Sequence, residues 1–101
     1  MLVRLAHTRV KENTHTSMYY NVYINGYRNA DQVYVNPNQV TNISISTYTS
    51  LIPSEFNDLN MDIISIKMII RTVTNEITVD FRGIKSVVEN EIQNIVDKLS
   101  V

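Results

Sequence analysis

Apolar residues recur along the chain with two different periods, and these periods predict the elements. From residue 76 to residue 81 every second side chain is apolar, which is typical of a strand with one buried face. Residues 40–48 alternate in the same way after their first positions. Residues 18–24 are rich in the β-branched and aromatic side chains that favour strands. Residues 63–73 are apolar on both faces, which predicts a strand in the interior of a sheet.

Shorter patterns fill the rest of the first half. Extended segments are predicted at residues 2–6 and 33–35. The dipeptide Asn25-Gly26 favours a tight turn, because both residues tolerate positive φ. We therefore expect the chain to reverse directly after the strand at 18–24.

Two polar stretches interrupt these strands. Residues 8–17 are predicted to be either the end of a hairpin or a mobile loop. Residues 49–60 lack a strand period and predict a loop, with one helical turn near 54–58.

The end of the chain has the helical period instead. Its apolar residues lie three or four positions apart, which gives a single stripe along a helix. They are Ile84, Val87, Val88, Ile92, Ile95, Val96 and Leu99. Ser86 and Glu89 match a capping box, so we expect the helix to begin at Ser86 and to end near Leu99. Gly83 would mark the bend between the last strand and this helix.

Together these elements predict an α+β fold. It is a small antiparallel sheet of about five to six strands, packed by one C-terminal amphipathic helix, and residues 1–101 form a single domain. One helix can cover only part of such a sheet. A remaining apolar face, or an open edge such as residues 18–24, would favour a homodimer.

Composition limits the kinds of partner, metal site and cellular location that we expect for this protein. The net charge is −1, which gives no general attraction to nucleic acids or membranes. Cysteine is absent, so disulfides and thiolate metal sites are excluded. No segment reaches the roughly 18 to 20 apolar residues of a membrane span, and we expect a cytoplasmic protein.

The chain from residue 33 onward carries a pattern of a strand, an Asn-Pro turn, further strands and a Glu-containing helix start. The matching residues are Val33-Tyr34-Val35-Asn36-Pro37-Asn38-Gln39-Val40-Thr41-Asn42-Ile43, Ser65-Ile66-Lys67-Met68, Ile77-Thr78-Val79 and Lys85-Ser86-Val87-Val88-Glu89. This pattern resembles the small flagellar FlbD family and similar short bacterial and phage proteins. The resemblance implies no enzymatic activity and no cofactor, and it does not imply a flagellar role.

Residues that usually carry catalysis are sparse. His7 and His15 have neither a second histidine at helical spacing nor a carboxylate cluster beside them, so we predict no metal site. Gly26 and Gly83 are the two glycines of the chain, too few for a loop that cradles phosphate. No serine lies in a Gly-x-Ser-x-Gly motif. We expect a protein that is not an enzyme and that holds no cofactor.

Charge and aromatic residues are unevenly distributed. Residues 1–30 hold four basic residues against one acidic residue, a net charge of +3, while the remaining residues carry −4. Four of the six tyrosines also lie in this basic part. In a strand over 18–24, Tyr19 and Tyr23 would share the outward face, while Tyr20, Val22 and Ile24 would face the core. The candidate macromolecule-binding residues are Arg9, Lys11, Tyr19, Tyr23, Tyr27 and Arg28.

These observations leave three kinds of function open. We favour a non-enzymatic binding or regulatory module that docks on another protein, because Tyr and Arg dominate binding hot spots. Asparagine and threonine are abundant, and a bias towards Asn, Tyr, Ile and Lys often reflects an AT-rich genome, such as that of many phages or low-GC bacteria. For a phage-encoded protein, the partner would be a host protein in the host cytoplasm. The second possibility is binding of RNA or single-stranded nucleic acid by the Tyr/Arg face. The third is a structural subunit of a larger assembly.

Overall fold

The computed structural model describes residues 1–28, 32–49, 51–57 and 59–100. This part of the chain holds eight strands, one α-helix and two short 3₁₀ turns. The strands are β1 (Val3–Ala6), β2 (Thr8–Glu12), β3 (His15–Ile24), β4 (Tyr27–Arg28), β5 (Gln32–Val35), β6 (Val40–Thr47), β7 (Ile63–Thr72) and β8 (Glu76–Ile84). The helix α1 spans Lys85–Leu99, and the 3₁₀ turns span Pro37–Gln39 and Ser54–Phe56.

Five antiparallel strands form the main sheet in the order β2-β3-β8-β7-β6. The short strand β4 pairs with the end of β3, and β1 pairs with β5 in a separate two-stranded ribbon. The α+β fold with one C-terminal helix is therefore confirmed. The ribbon was not predicted, because its strands were expected in a common sheet.

The core lies between one face of the main sheet and a layer made by α1 and the β1–β5 ribbon. In β8 the predicted inward residues Ile77, Val79 and Phe81 are all buried. The helix contributes its buried stripe, and the ribbon adds two apolar residues from each strand. These residues are Val88, Ile92, Ile95 and Leu99 from α1, and Val3, Leu5, Val33 and Val35 from the ribbon. The opposite face of the main sheet, which we call the open face, is left without this layer.

Residues 18–24 are not an edge of the sheet, and this expectation was wrong. They belong to β3, which pairs with β8 on one side and with β2 and β4 on the other. The neighbour that covers most of this side of β3 is β2, which lies within residues 8–17, where the sequence predicts a hairpin end or a loop. It is the short, polar edge strand of a hairpin that turns at Asn13, where φ is 57°. The strands at the two ends of the main sheet are thus β2 and β6.

The start of α1 also differs from the expectation. The capping residue is Ile84, which makes no side-chain hydrogen bond, so the capping box of Ser86 and Glu89 does not form. The backbone N–H of Lys85 donates instead to the carbonyl of Asp62 at 2.9 Å. A tertiary contact thus satisfies one of the free N–H groups of the first turn. Ile84 is buried, and this burial fixes where the strand passes into the helix.

Candidate interaction surface

The strand register brings polar side chains into rows across the open face. Residues paired across antiparallel strands project from the same face of a sheet. The central row crosses β3, β8, β7 and β6 and consists of Asn21, Asp80, Lys67 and Ser46. The row beside it consists of Tyr19, Arg82 and Ser65. Charged and aromatic residues from distant parts of the chain are therefore neighbours.

Tyr48, directly after β6, connects these two rows. Its hydroxyl donates to the Asp80 carboxylate. Its ring centroid lies 5.1 Å from the Lys67 Nζ and 6.0 Å from the Arg82 Cζ. Such distances are typical of cation–π contacts. The Arg82 Nη2 lies 4.0 Å from Asp80 Oδ2. Tyr48 thus holds three charged side chains in one cluster, which we call the Tyr48 cluster.

The pKa values of Tyr48 and Arg82 shift in the directions that their contacts predict. Burial raises the pKa of the Tyr48 hydroxyl, and the hydrogen bond to Asp80 raises it further. The hydrogen bond with Tyr48 is the main cause of a raised pKa at Arg82. The cluster therefore keeps a protonated phenol and a charged guanidinium side by side at neutral pH.

A second cluster covers Tyr19 at one end of the open face. The Tyr19 ring stacks on Phe56 of the second 3₁₀ turn, with centroids 5.9 Å apart and an interplanar angle of 12°. The Arg9 guanidinium carbon lies 5.1 Å from the Tyr19 centroid. Arg9 also pairs with Glu55 and donates to the Thr16 hydroxyl. The Tyr19 ring is therefore already covered by Phe56, and Phe56 itself is only 1% exposed.

Tyr23 lies in a more open part of this face. It lines a shallow pocket of about 290 Å³ together with Gly26, Lys67, Thr78 and Asp80. The tyrosine is half-buried by its neighbours in the sheet, and Lys67 is exposed. This pocket lies next to the Tyr48 cluster, since Lys67 and Asp80 belong to both.

The structure places some of the predicted site residues together on the open face and others elsewhere. Arg9, Tyr19 and Tyr23 lie on the open face, and Tyr20 and Val22 are buried on the other side, as predicted. The exposed Lys11 follows Arg9 at a distance of two positions in β2, beyond a register shift.

The remaining two candidates do not join this group. Tyr27 pairs with Ile24, which places it on the helix side of the sheet, where it is 81% exposed. The Arg28 backbone pairs with Tyr23, and the Arg28 side chain lies outside the described residues.

Sequence reasoning missed the Tyr48 cluster. The sequence did contain a signal, because Tyr48 and Asp80 both occupy outward positions of alternating segments. The alternation shows which way a side chain points but not which strands are neighbours. The contact between residues 48 and 80 depends on β7 lying between β6 and β8.

Within the described residues, no group of three or more His, Cys, Asp or Glu side chains could hold a metal ion. The His7 Nδ1 shares a hydrogen bond with the Asn21 amide oxygen, at the end of the central row. None of the described helical segments has the length and apolarity needed to cross a membrane.

Comparison of the chain with protein-family models, with curated proteins and with solved structures finds no match.

Proposed function

We propose that this chain is a non-enzymatic binding module that acts by docking its open face on another protein. The observation that carries the proposal is the Tyr48 cluster with the adjoining Tyr23 pocket, on a sheet face that lacks the covering layer of α1 and the ribbon. Tyrosine and arginine are enriched among the side chains that dominate protein interfaces. Their fixed geometry lowers the entropy that binding costs.

The pairing of charges favours a protein over a nucleic acid as the partner. On the open face, Arg9 pairs with Glu55, Arg71 with Glu76 at 3.4 Å, and Arg82 lies beside Asp80. Nucleic-acid affinity depends on cations that are free to neutralise phosphates. An aromatic platform for bases also needs an uncovered ring, whereas Phe56 stacks on Tyr19. Binding of RNA or single-stranded nucleic acid is therefore the second candidate.

A matched pair of double variants tests the proposal. Tyr23→Ala/Lys67→Ala removes the ring and the exposed cation beside the pocket. Tyr27→Ala/Lys98→Ala removes the same two residue types from exposed positions away from the open face, so it serves as the control. We expect the first variant to fold but to lose about 2 kcal/mol or more of binding free energy, and the control to bind like the parent.

The measurement begins with capture and crosslinking mass spectrometry from a lysate of the source organism or its host. The partner found is then titrated by calorimetry against the parent and both variants. In parallel, fluorescence anisotropy follows a labelled single-stranded oligonucleotide at about 50 and 200 mM salt.

Equal affinity of both variants for the partner would remove the open face from consideration. Salt-sensitive oligonucleotide binding that requires Tyr23 and Lys67 would favour the second candidate. Concentration-dependent growth beyond a dimer would favour a structural subunit.

A further inference from the structure

The two edges of the main sheet differ in how they are protected. Exposed strand edges invite pairing with other chains, and natural proteins block them with charges, bulges or short strands. The β2 edge has all three, since it is five residues long, carries Arg9, Lys11 and Glu12, and has a register shift after Val10. The β6 edge is eight residues long and contains neither charge nor proline, and its one irregularity lies at its start. From Ile43 to Thr47 it is regular and unprotected.

Every second residue of β6 directs its backbone N–H and C=O groups away from the sheet. The Tyr48 N–H donates to the Ser65 carbonyl, which fixes the alternation of hydrogen bonds along the β6–β7 pair. By this alternation Ser44 and Ser46 direct their backbone groups towards β7. Ile43, Ile45 and Thr47 direct theirs outward, and within the described residues β6 pairs with β7 alone.

We propose that two copies of this chain associate by antiparallel pairing of their β6 strands, centred on Ser44. In this register Ile43 of each copy lies opposite Ile45 of the other, and both pairs project on the helix side. Ile45 is 49% exposed in the single chain, so this pairing covers apolar surface that the single chain leaves open. Pairing centred on Ile45 would give one Ile–Ile pair and two Ile–Thr pairs, which is a weaker set of cross-strand contacts.

The absence of charge in β6 favours a second copy of this chain as its partner. A strand without charge meets no repulsion from its own copy and offers nothing that would select a charged peptide. A two-fold axis through Ser44 makes the interface self-complementary, which is the arrangement of most homodimers. The two main sheets then continue into one another, and their open faces lie side by side. This inference does not depend on the proposed docking function.

The first test measures association as a function of concentration. Sedimentation velocity and light scattering of the parent should show a reversible dimer. Ile45→Lys places a lysine at each of two symmetry-related positions and should weaken the dimer by about tenfold or more. Leu2→Lys makes a comparable change at a residue 55% exposed outside β6, and it should dimerise like the parent. A parent that stays monomeric, or equal effects of the two substitutions, would overturn the proposal.

The second test reads the register directly and does not require a destabilising variant. The chain has no cysteine, so Ser44→Cys introduces a unique thiol. Two such residues at the axis would form a non-hydrogen-bonded pair, whose Cα separation of about 4.5 Å suits a disulfide. Oxidation should therefore crosslink Ser44→Cys but not Ser46→Cys, which lies on the same face two positions away. Crosslinking of both variants or of neither, or of Ser46→Cys alone, would contradict pairing centred on Ser44.

Discussion

Gly83 lies in β8 directly opposite Met18 of β3. A Cβ atom at this position would lie 2.4 Å from the Ser17 carbonyl oxygen and 2.6 Å from the Met18 Cα. Both of these atoms belong to the backbone, so neither can move without shifting β3. Gly83 also has a φ of 153°, which side chains rarely adopt. The residue therefore allows close approach of two central strands rather than only marking a bend before α1.

Gly83→Ala should destabilise the protein by about 2 kcal/mol or more, because overpacking adds to backbone strain. Gly26→Ala provides the control, since Gly26 has a φ of 87° but nothing lies within 4 Å of its Cβ position. Its cost should be limited to about 1 kcal/mol of backbone strain. Urea denaturation of both variants measures the difference. Equal losses would mean that close approach to β3 has no effect on stability.

For the residues of the candidate surface, the sequence predicted the direction of each side chain in β3 but not its partners. Alternation in 18–24 correctly separated Tyr19 and Tyr23 from the buried Tyr20 and Val22. It could not reveal that Phe56 stacks on Tyr19, because this contact joins a loop turn to a strand 37 positions away along the chain. The partners of outward residues are set by strand order, and strand order has no signal in the local period.

At the scale of elements, a strand or helix could be predicted from the sequence when it buries one face and exposes the other, because its apolar residues then recur with a clear period. Strand β8 buries one face completely and α1 buries one stripe, so the period of their apolar residues identified them. The strand β2 has no fully buried residue, and its polar sequence carried no strand period. The predicted helical turn near 54–58 is present as Ser54–Phe56, while Asp58 lies outside the described residues.

The start of α1 leads to a comparison of two substitutions. Ser86 is exposed and makes no capping hydrogen bond, so Ser86→Ala should change stability by less than about 0.5 kcal/mol. Ile92 is 7% exposed in the core cluster, so Ile92→Ala should cost about 2–5 kcal/mol. Thermal and urea denaturation measure both. A loss of about 1 kcal/mol or more at Ser86 would show that a serine cap forms in solution.

At the scale of the whole molecule, the fold separates two environments of tyrosine. On the helix side, Tyr20 is 5% exposed, and its ring lies against Phe81 with centroids 5.0 Å apart. On the open face, Tyr48 is half-buried in its cluster. Burial is the main cause of a raised pKa at both phenols. At Tyr20 a hydrogen bond with Thr8 partly opposes this effect, whereas at Tyr48 the bond to Asp80 adds to it.

These shifts predict that stability falls at alkaline pH. A phenol whose pKa is higher in the folded state favours folding fully while pH is below its unfolded value of about 10. Above that pH the unfolded chain loses protons that the folded chain still holds, so stability declines as pH rises towards the folded pKa. The melting temperature of the parent should therefore drop as pH rises above about 10. Tyr20→Phe should make this drop shallower, and Tyr20→Phe/Tyr48→Phe should make it shallower still, whatever each substitution costs at pH 7. Curves that remain parallel to the parent over this range would show that neither phenol couples its ionisation to folding.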